Sequence, residues 1–323
     1  DLLALAQNPN INSTLEGREP NAYTQFLPGI TVDYRIQDGE FYGSIYQGMI
    51  APSKVFGFLV EQDGVVTNPL AGQSINIEPE LAWNREIGWR GNLWDNRIDG
   101  QLTYFNNTSR NFYAGGRNEV FQELGKINVQ GLEAAVGAEL FKINQHQLRL
   151  FGNINVMQSK VLEGRLVDKD LFSQVIHSTA TQNEYIDKVN ANRSAYEVYV
   201  SNGSGGEVLL TDETIDQADF QNITKSVIRF GEDGISDAEA PYIPKWNASI
   251  GLNYDFQNLS VGVSGHFVSG QFTEFHNFSN ESADGAIGKL PAYHLIDAYV
   301  NYNFILGKKL NMTAFVNGKN VTN

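Results

Sequence analysis

Apolar and polar residues alternate with a period of two along much of the chain. In 246–256, Trp246, Ala248, Ile250, Leu252, Tyr254 and Phe256 make one face, and Asn247, Ser249, Gly251, Asn253 and Asp255 make the other. Residues 259–269, 292–304 and 310–317 repeat the pattern, as do 30–36, 98–104, 132–140 and 148–156. Strict alternation over this many segments predicts antiparallel strands with one apolar and one polar face. Ten strands are predicted, at 29–37, 40–50, 78–91, 97–107, 126–141, 146–157, 243–256, 258–269, 291–304 and 309–319. Most exceed the usual strand of about five or six residues. At about 3.3 Å per residue and a tilt of about 45°, ten residues cross about 25 Å, the height of a membrane barrel's apolar band.

The connections alternate in length. Short ones lie at Asp38-Gly39, 92–96, 142–145, Gln257 and 305–308, and long ones at 51–77, 108–125, 158–242 and 270–290. An outer-membrane barrel sorts its loops this way, with tight turns at the periplasmic rim and long loops outside. Aromatics beside the short turns, among them Trp94, Tyr104, Phe141, Tyr254, Phe256, Tyr302 and Phe304, fit an interfacial girdle. Periodicity does not say which face is outside, and a soluble β-sandwich with its apolar faces inward has the same alternation. Strand length, loop sorting and aromatic placement favour an all-β, antiparallel transmembrane barrel. Arg85 stands against it, in phase with Trp83, Ile87 and Trp89. An outward Arg85 must lie near a rim, because an arginine at mid-bilayer costs about 2–4 kcal/mol.

Composition narrows the function. Of 323 residues, 41% are hydrophobic and 19% charged, with 37 aromatics, which excludes a disordered acidic chain. No apolar run approaches a membrane helix, which says nothing against a barrel. Lys plus Arg number 23 and Asp plus Glu 37, a net charge of -14, and no basic stripe marks a nucleic-acid partner. Cysteine is absent, which removes disulfides and thiolate chemistry. The first residue is Asp, and Leu2 to Leu5 is too short for a signal peptide, so a mature protein or a piece of a longer one is expected. Segment 158–242 departs from strand periodicity. Helix-like apolar spacing appears at Leu166, Leu171, Phe172, Val175 and Ile176, and again at Tyr185, Ile186 and Val189. Asp212 is the expected cap of a short helix carrying Ile215 and Ala218. Between 159 and 242 there are seven basic and fifteen acidic residues, a net of -8. The segment is expected to be an extracellular insertion with short helices, folded over the barrel mouth.

Several stretches, taken in order, resemble TonB-dependent outer-membrane receptors. Residues 78–91, Glu-Pro-Glu-Leu-Ala-Trp-Asn-Arg-Glu-Ile-Gly-Trp-Arg-Gly, are similar to a conserved-looking strand of that family, followed by Leu102 to Asn107 and Gly131-Leu132-Glu133. Gln271 to Thr273, Asp284-Gly285, Gly288 to Tyr293 and Asp297 continue the likeness, and Phe315 to Asn323 resembles the penultimate strand. The order and spacing over about residues 25–323 carry the resemblance, which is nearest to ferric citrate and ferric-siderophore receptors. It implies a barrel of about 22 strands around a plug. This chain supplies about ten, the carboxy-terminal part, without the plug or the energy-coupling box. It also implies a transporter rather than an enzyme, placed in the bacterial outer membrane. The implied partners are membrane lipid and lipopolysaccharide, the plug, a TonB-type coupling complex and a ferric chelate. The alternative function is a passive porin, or a structural outer-membrane protein without energy coupling.

The candidate chemistry fits transport. The five histidines, His146, His177, His266, His276 and His294, make no ligand spacing, and no Gly-x-Ser-x-Gly elbow occurs. In the barrel reading, Glu86, Arg90, Glu133, Arg149, Asp255 and Asp297 face the lumen and plug, with Asp33, Arg35, Asp99 and Glu139 on the same polar face. There they pair across the wall. Ligand-contact candidates are Arg110, Phe112, Tyr113 and Arg117 in one long loop, and Phe275 and His276, with Phe272 and Phe278, in another. Arginine suits an anionic chelate because its planar fork grips a carboxylate at two points. Glu232, Asp233, Asp237 and Glu239 are a weak candidate for calcium, against the plainer reading of a solvated acidic loop.

Overall fold

A computed structural model describes residues 24–50, 60–62, 65–67, 78–114, 122–168, 178–282, 285, 287–307 and 309–322. Arg117, Leu171, Phe172, Val175, Ile176, His177 and Asp284 lie outside these residues. The first strands are β1 (Gly29–Ile36), β2 (Gly39–Ile50), β3 (Val60–Gln62), β4 (Val65–Thr67), β5 (Glu80–Leu93), β6 (Ile98–Ala114), β7 (Gln122–Ile143) and β8 (His146–Asp168). Helix α1 (Thr179–Ala191), β9 (Tyr196–Ser201), β10 (Glu207–Leu209), helix α2 (Gln217–Phe220) and β11 (Ile223–Phe230) follow. The remainder is β12 (Trp246–Phe256), β13 (Leu259–Val268), β14 (Gln271–Phe272), β15 (Lys289–Leu290), β16 (Tyr293–Leu306) and β17 (Leu310–Gly318).

The ten predicted strands are β1, β2, β5, β6, β7, β8, β12, β13, β16 and β17, hydrogen-bonded in that order in one sheet. Every neighbour is antiparallel. The sheet is open, with β1 and β17 at its edges. The short connections close as tight turns whose residues adopt positive φ, such as Asn144 (53°) and Gln257 (53°). That left-handed geometry matches the twist of the strands it joins.

Register fixes the two faces. Val32, Gly43, Ile87, Tyr104, Leu132, Val156 and Trp246 are successive partners in one row, and all are in the apolar phase. That face has no cover: Ile250 is 53% exposed and Val300 44%, and Leu252 is exposed too. A soluble sandwich would bury these side chains, so the apolar face is the lipid face of a membrane barrel.

The polar face is smoothed by glycines. Tyr42 lies against Gly88, Phe105 against Gly131, Phe151 against Gly251 and Tyr299 against Gly262, each ring where a Cβ on the glycine would overlap it. Hydrogen bonds hold two of the rings, from Tyr299 Oη to Asn253 Oδ1 (3.1 Å) and between Tyr42 Oη and Thr103 Oγ1 (2.5 Å). The aromatic area is thereby laid flat on the wall instead of projecting from it.

Three strands outrun their predicted ends. β6 continues to Ala114, β7 starts at Gln122, and β8 runs on to Asp168. Beyond the apolar band the outer face need not be apolar, so alternation stops while the ladder continues. Segment 158–242 is also corrected. It carries strands: β11 pairs with β8 and β9, and β10 with β9. Leu166 lies in β8 rather than in a helix, whereas Tyr185, Ile186 and Val189 form the buried face of α1 as expected. The short helix is capped by Asp216, not Asp212, through a capping box with Asp219.

Two measurements check this wall. Ile250→Arg, at mid-strand on the lipid face, is expected to destabilise the barrel by about 2–4 kcal/mol in equilibrium unfolding from lipid vesicles, whereas an arginine near the rim costs about 0–1 kcal/mol. Gly262→Ala is expected to push Tyr299 off the wall and cost about 1–3 kcal/mol, and Gly262→Ala with Tyr299→Ala to recover part of that loss.

Candidate functional site

The polar face carries a ladder of paired charges. Arg35 and Glu40 flank the β1–β2 turn as direct partners, and Arg90 on β5 is the neighbour of Glu40. Glu40 thus takes Arg90 Nε at 2.5 Å and Arg35 Nε at 3.7 Å, while the Arg90 guanidinium sits 5.2 Å from the centre of the Tyr42 ring. With Asp99 and Gln101, Arg35, Glu40 and Arg90 line a groove of about 510 Å³. Further along, Arg149 donates to Asp255 (2.9 Å), which also accepts from Ser260 (2.6 Å). Glu86 accepts from Ser44 (2.8 Å), Glu133 from Asn155 (3.2 Å), Glu139 from Gln147 (2.7 Å), and Asp297 from the Asn320 backbone (2.9 Å). Glu86, Arg90, Glu133, Arg149, Asp255 and Asp297 therefore share one face, opposite Ile87, Leu132 and Ile250. Neighbouring strands, or for Asp297 the turn after β17, satisfy each of them, which is what charges at membrane depth require. Sequence reasoning missed Glu40 as the bridge between two arginines; the two-residue turn that makes Arg35 and Glu40 partners was the available signal.

At the long-loop end stands a folded cap. The buried apolar cluster among the described residues lies there rather than in the wall, built from Leu166, Tyr185, Val189, Val198, Ile228 and Phe278, with Phe275 and Ile287 from segment 270–290. Tyr185 stacks edge-on to Tyr196 and Phe220 and donates to Ser226 Oγ at 3.0 Å. Ser178 caps α1 by accepting the Thr181 N–H. Glu184 on α1 accepts the Ser279 N–H (2.6 Å) and the Asn280 N–H (2.9 Å), latching the two long loops together. Asn277 completes the latch, accepting the Glu239 N–H (2.7 Å) and donating to the Glu239 carbonyl (2.9 Å). Ala238 and Ala240 bond to Val161 and Ser159 on β8. Phe112 and Ile127 pack beneath the cluster. Ile127 and Val161 are partners in the polar-face phase, so the cap lies over that face.

The ligand-contact candidates do not converge. Phe275 and His276 are buried, at 7% and 5% exposure, and form cap core rather than a ligand surface. The cause is Glu274, whose carboxylate accepts the His276 N–H (2.5 Å) and the Phe278 N–H (2.8 Å) and folds this stretch inward. Arg110 pairs with Leu81 and Lys126 and is exposed on the lipid-side face. A bulge at Asn111, with φ of 54°, reverses the phase and turns Phe112 toward the cap. Tyr113 is a ladder residue of β6. Glu232, Asp233 and Asp237 are exposed, and Glu239 pairs with Lys245 at 2.8 Å. Among the described residues no group of three or more His, Cys, Asp or Glu converges as a metal would require.

A sheet with a bare apolar face, a charge-paired polar face, tight turns at one end and a folded cap at the other defines an outer-membrane β-barrel. The sequence matches the family model described as TonB dependent receptor-like, beta-barrel, over residues 6–321. The chain belongs to that family, whose members are outer-membrane transporters and not enzymes. Its fold is similar to a crystal structure of the ferric citrate transporter FecA in the unliganded form, with a TM-score of 0.54 and 18% identity over 91% of this chain and 33% of that one. The ferric-catecholate import receptor Fiu from K12 E. coli gives 0.48 and 15%, over 91% and 30% of the two chains. A P. aeruginosa FpvA–pyoverdine complex gives 0.47 and 16%, over 92% and 29%. The chain thus spans about a third of these structures.

The cap should unfold before the wall. Phe278→Ala, at a fully buried position, is expected to destabilise the cap by about 3–5 kcal/mol. Hydrogen exchange should then show lost protection in α1, β9 and β11 with β12, β13 and β16 still protected, and loss across all of them would show a single cooperative unit.

Proposed function

We propose that this chain forms the carboxy-terminal part of the barrel of an outer-membrane receptor that takes up a ferric chelate by energy-coupled transport. In this reading the polar face lines a lumen filled by a plug belonging to the same complete receptor. A TonB-type complex in the inner membrane drives release. The observation that carries the reading is the folded cap over the polar face, joined to a wall of the matched family. An open passive pore has no use for two long loops latched across its mouth by a shared core. The charge ladder supports it as well: paired carboxylates and arginines on the wall can exchange partners with an inserted domain without leaving a bare charge in a low-dielectric space. A ferric citrate-like chelate, the cargo named for FecA, is the substrate class this reading carries over to the chain.

The test is uptake of radiolabelled iron by cells with and without the complete gene, offered as ferric citrate and as a ferric catecholate. Uptake of one chelate is expected to depend on the gene and to stop when the proton gradient is collapsed. Gene-dependent uptake that survives the collapse would make the protein a passive pore.

A further inference from the structure

The chain passes between wall and cap at the long-loop ends of β6, β7, β8, β12, β13 and β16. All but one of these crossings hold a residue in the left-handed region. They are Asn111 in β6 (φ 54°), Gly125 in β7 (83°), Gly164 in β8 (149°), Tyr242 ahead of β12 (58°) and Gly288 ahead of β16 (126°). The crossing out of β13 is the exception. Between this level and the tight turns, no described residue of a wall strand has a positive φ. The ladder is irregular at the same level. The β6–β7 register shifts on both sides of Phe112, and the β7–β8 register slips between the pairs Lys126–Glu163 and Ile127–Val161.

Above the joints the cap is one body, and little ties it to the wall below. From β6 and β7 only Phe112 and Ile127 reach its core, and Phe112 lies on the cap side of Asn111. Two ion pairs span joints, Lys126–Glu163 at 3.6 Å and Lys245–Glu239 at 2.8 Å. Every other ion pair among the described residues lies wholly in the wall or wholly in the cap. Gly125 and Gly288 are closely packed: an added Cβ would stand 2.9 Å from the Glu163 carbonyl oxygen and 2.8 Å from the Glu281 Cα. Tyr242 is the strained member, since a bulky side chain at positive φ is an outlier. Its ring is 63% exposed, so packing does not hold it. Its N–H donates to the Phe272 carbonyl at 2.8 Å, and the Glu239–Lys245 pair brackets it in sequence.

We propose that the cap is a single rigid lid that swings on this collar of left-handed joints, closed in this structure, with the Glu239–Lys245 pair as a clasp holding it shut against strain at Tyr242. Hinges are a few element-terminal positions that absorb a change of φ and ψ, and the collar supplies one at nearly every crossing. Strained backbone persists only where its surroundings over-determine it, and the clasp and the Phe272 bond do so for Tyr242. Opening lets Tyr242 return to an ordinary φ and parts the clasp. It leaves the shared core and the Glu184 latch whole, because both lie on the cap side of every joint.

The inference rests on the barrel orientation but not on ferric uptake, and its test uses no chelate. This chain has no cysteine, so dye pairs can be placed by substitution in the complete receptor, with any cysteine outside the chain changed to serine. Asn202→Cys at the cap tip with Lys142→Cys at a tight turn reads the cap–wall distance. Asn202→Cys with Asp187→Cys on α1 reads a distance within the cap. Single-molecule energy transfer in lipid nanodiscs is expected to show two cap–wall distances and one distance within the cap. Lys245→Gln should shift the population toward the open distance by about two- to fivefold, the range of an exposed ion pair. Tyr242→Gly should shift it toward closed by about fivefold, because glycine takes this φ without strain. Tyr242→Ala, which keeps a Cβ and so the strain, should shift it less than twofold. A single cap–wall distance in both the unaltered receptor and Lys245→Gln would overturn the proposal. So would a within-cap distance that spreads along with the cap–wall one, since the loops would then be loosening separately. No shift in Tyr242→Gly, or a shift toward open, would remove Tyr242 as the strained joint and overturn the mechanism with it.

Discussion

Everything in this structure depends on the backbone ladder. In hydrocarbon no water is available to a bare N–H or C=O, and each one left unpaired costs several kcal/mol. Ten strands paired in sequence order meet that requirement with the shortest connections, and the order leaves only β1 and β17 with an open edge. Once the ladder is set, alternation sorts the side chains. Those on one face meet lipid, and those on the other must find partners among themselves. The pairs Arg90–Glu40 and Arg149–Asp255 are the result.

The apolar residues consequently do two jobs in two places. In the wall they stay uncovered, since the acyl chain is as good a neighbour as another leucine. In the cap, which stands in water, they cluster as in a small soluble domain, around Tyr185 and Phe278. The glycines of the wall belong to the same logic. A glycine within a strand normally weakens it, but Gly251 and Gly262 give Phe151 and Tyr299 room to lie down. The inner wall keeps a smooth profile while retaining aromatic area against its own backbone.

Sequence reading succeeded where the bilayer imposes a code. All ten wall strands and their faces were legible, because lipid on one side and polar surroundings on the other force strict alternation. Arg85, expected near a rim if it faces outward, lies level with Asn106 and Gln130, its guanidinium 5.9 Å from the centre of the Trp83 ring. Legibility ended with the bilayer. β8 past Met157 passed for helix at Leu166, and β9 to β11 went unread, because strands that serve a small core on one face do not carry the long strict alternation of the wall. Phe275 and His276 were misjudged for a related reason. An aromatic loop reads alike whether it is offered to a ligand or folded into a core, and Glu274, which decides the matter, gives no signal in the sequence. The outward cations were invisible for another. Arg110, Lys126, Lys160, Arg165 and Arg229 are far apart in sequence, and no stripe appears until register brings them to one face.

β8 is one strand of 23 residues, with its lower half in the wall and its upper half in the cap. Its neighbours change along the way, from β12 to the segment around Ala238 and then to β11. Cap and wall are therefore not joined by a tether that slackens. They share a beam. A push on the cap is carried down β8 as a load on the β7 and β12 ladders, and the place where such a beam yields most easily is its irregularity at Val161–Glu163, where the register with β7 slips. Any opening of the mouth is on this account a bend at a fixed point rather than a loosening of loops, with a direction set by the tilt of a single strand.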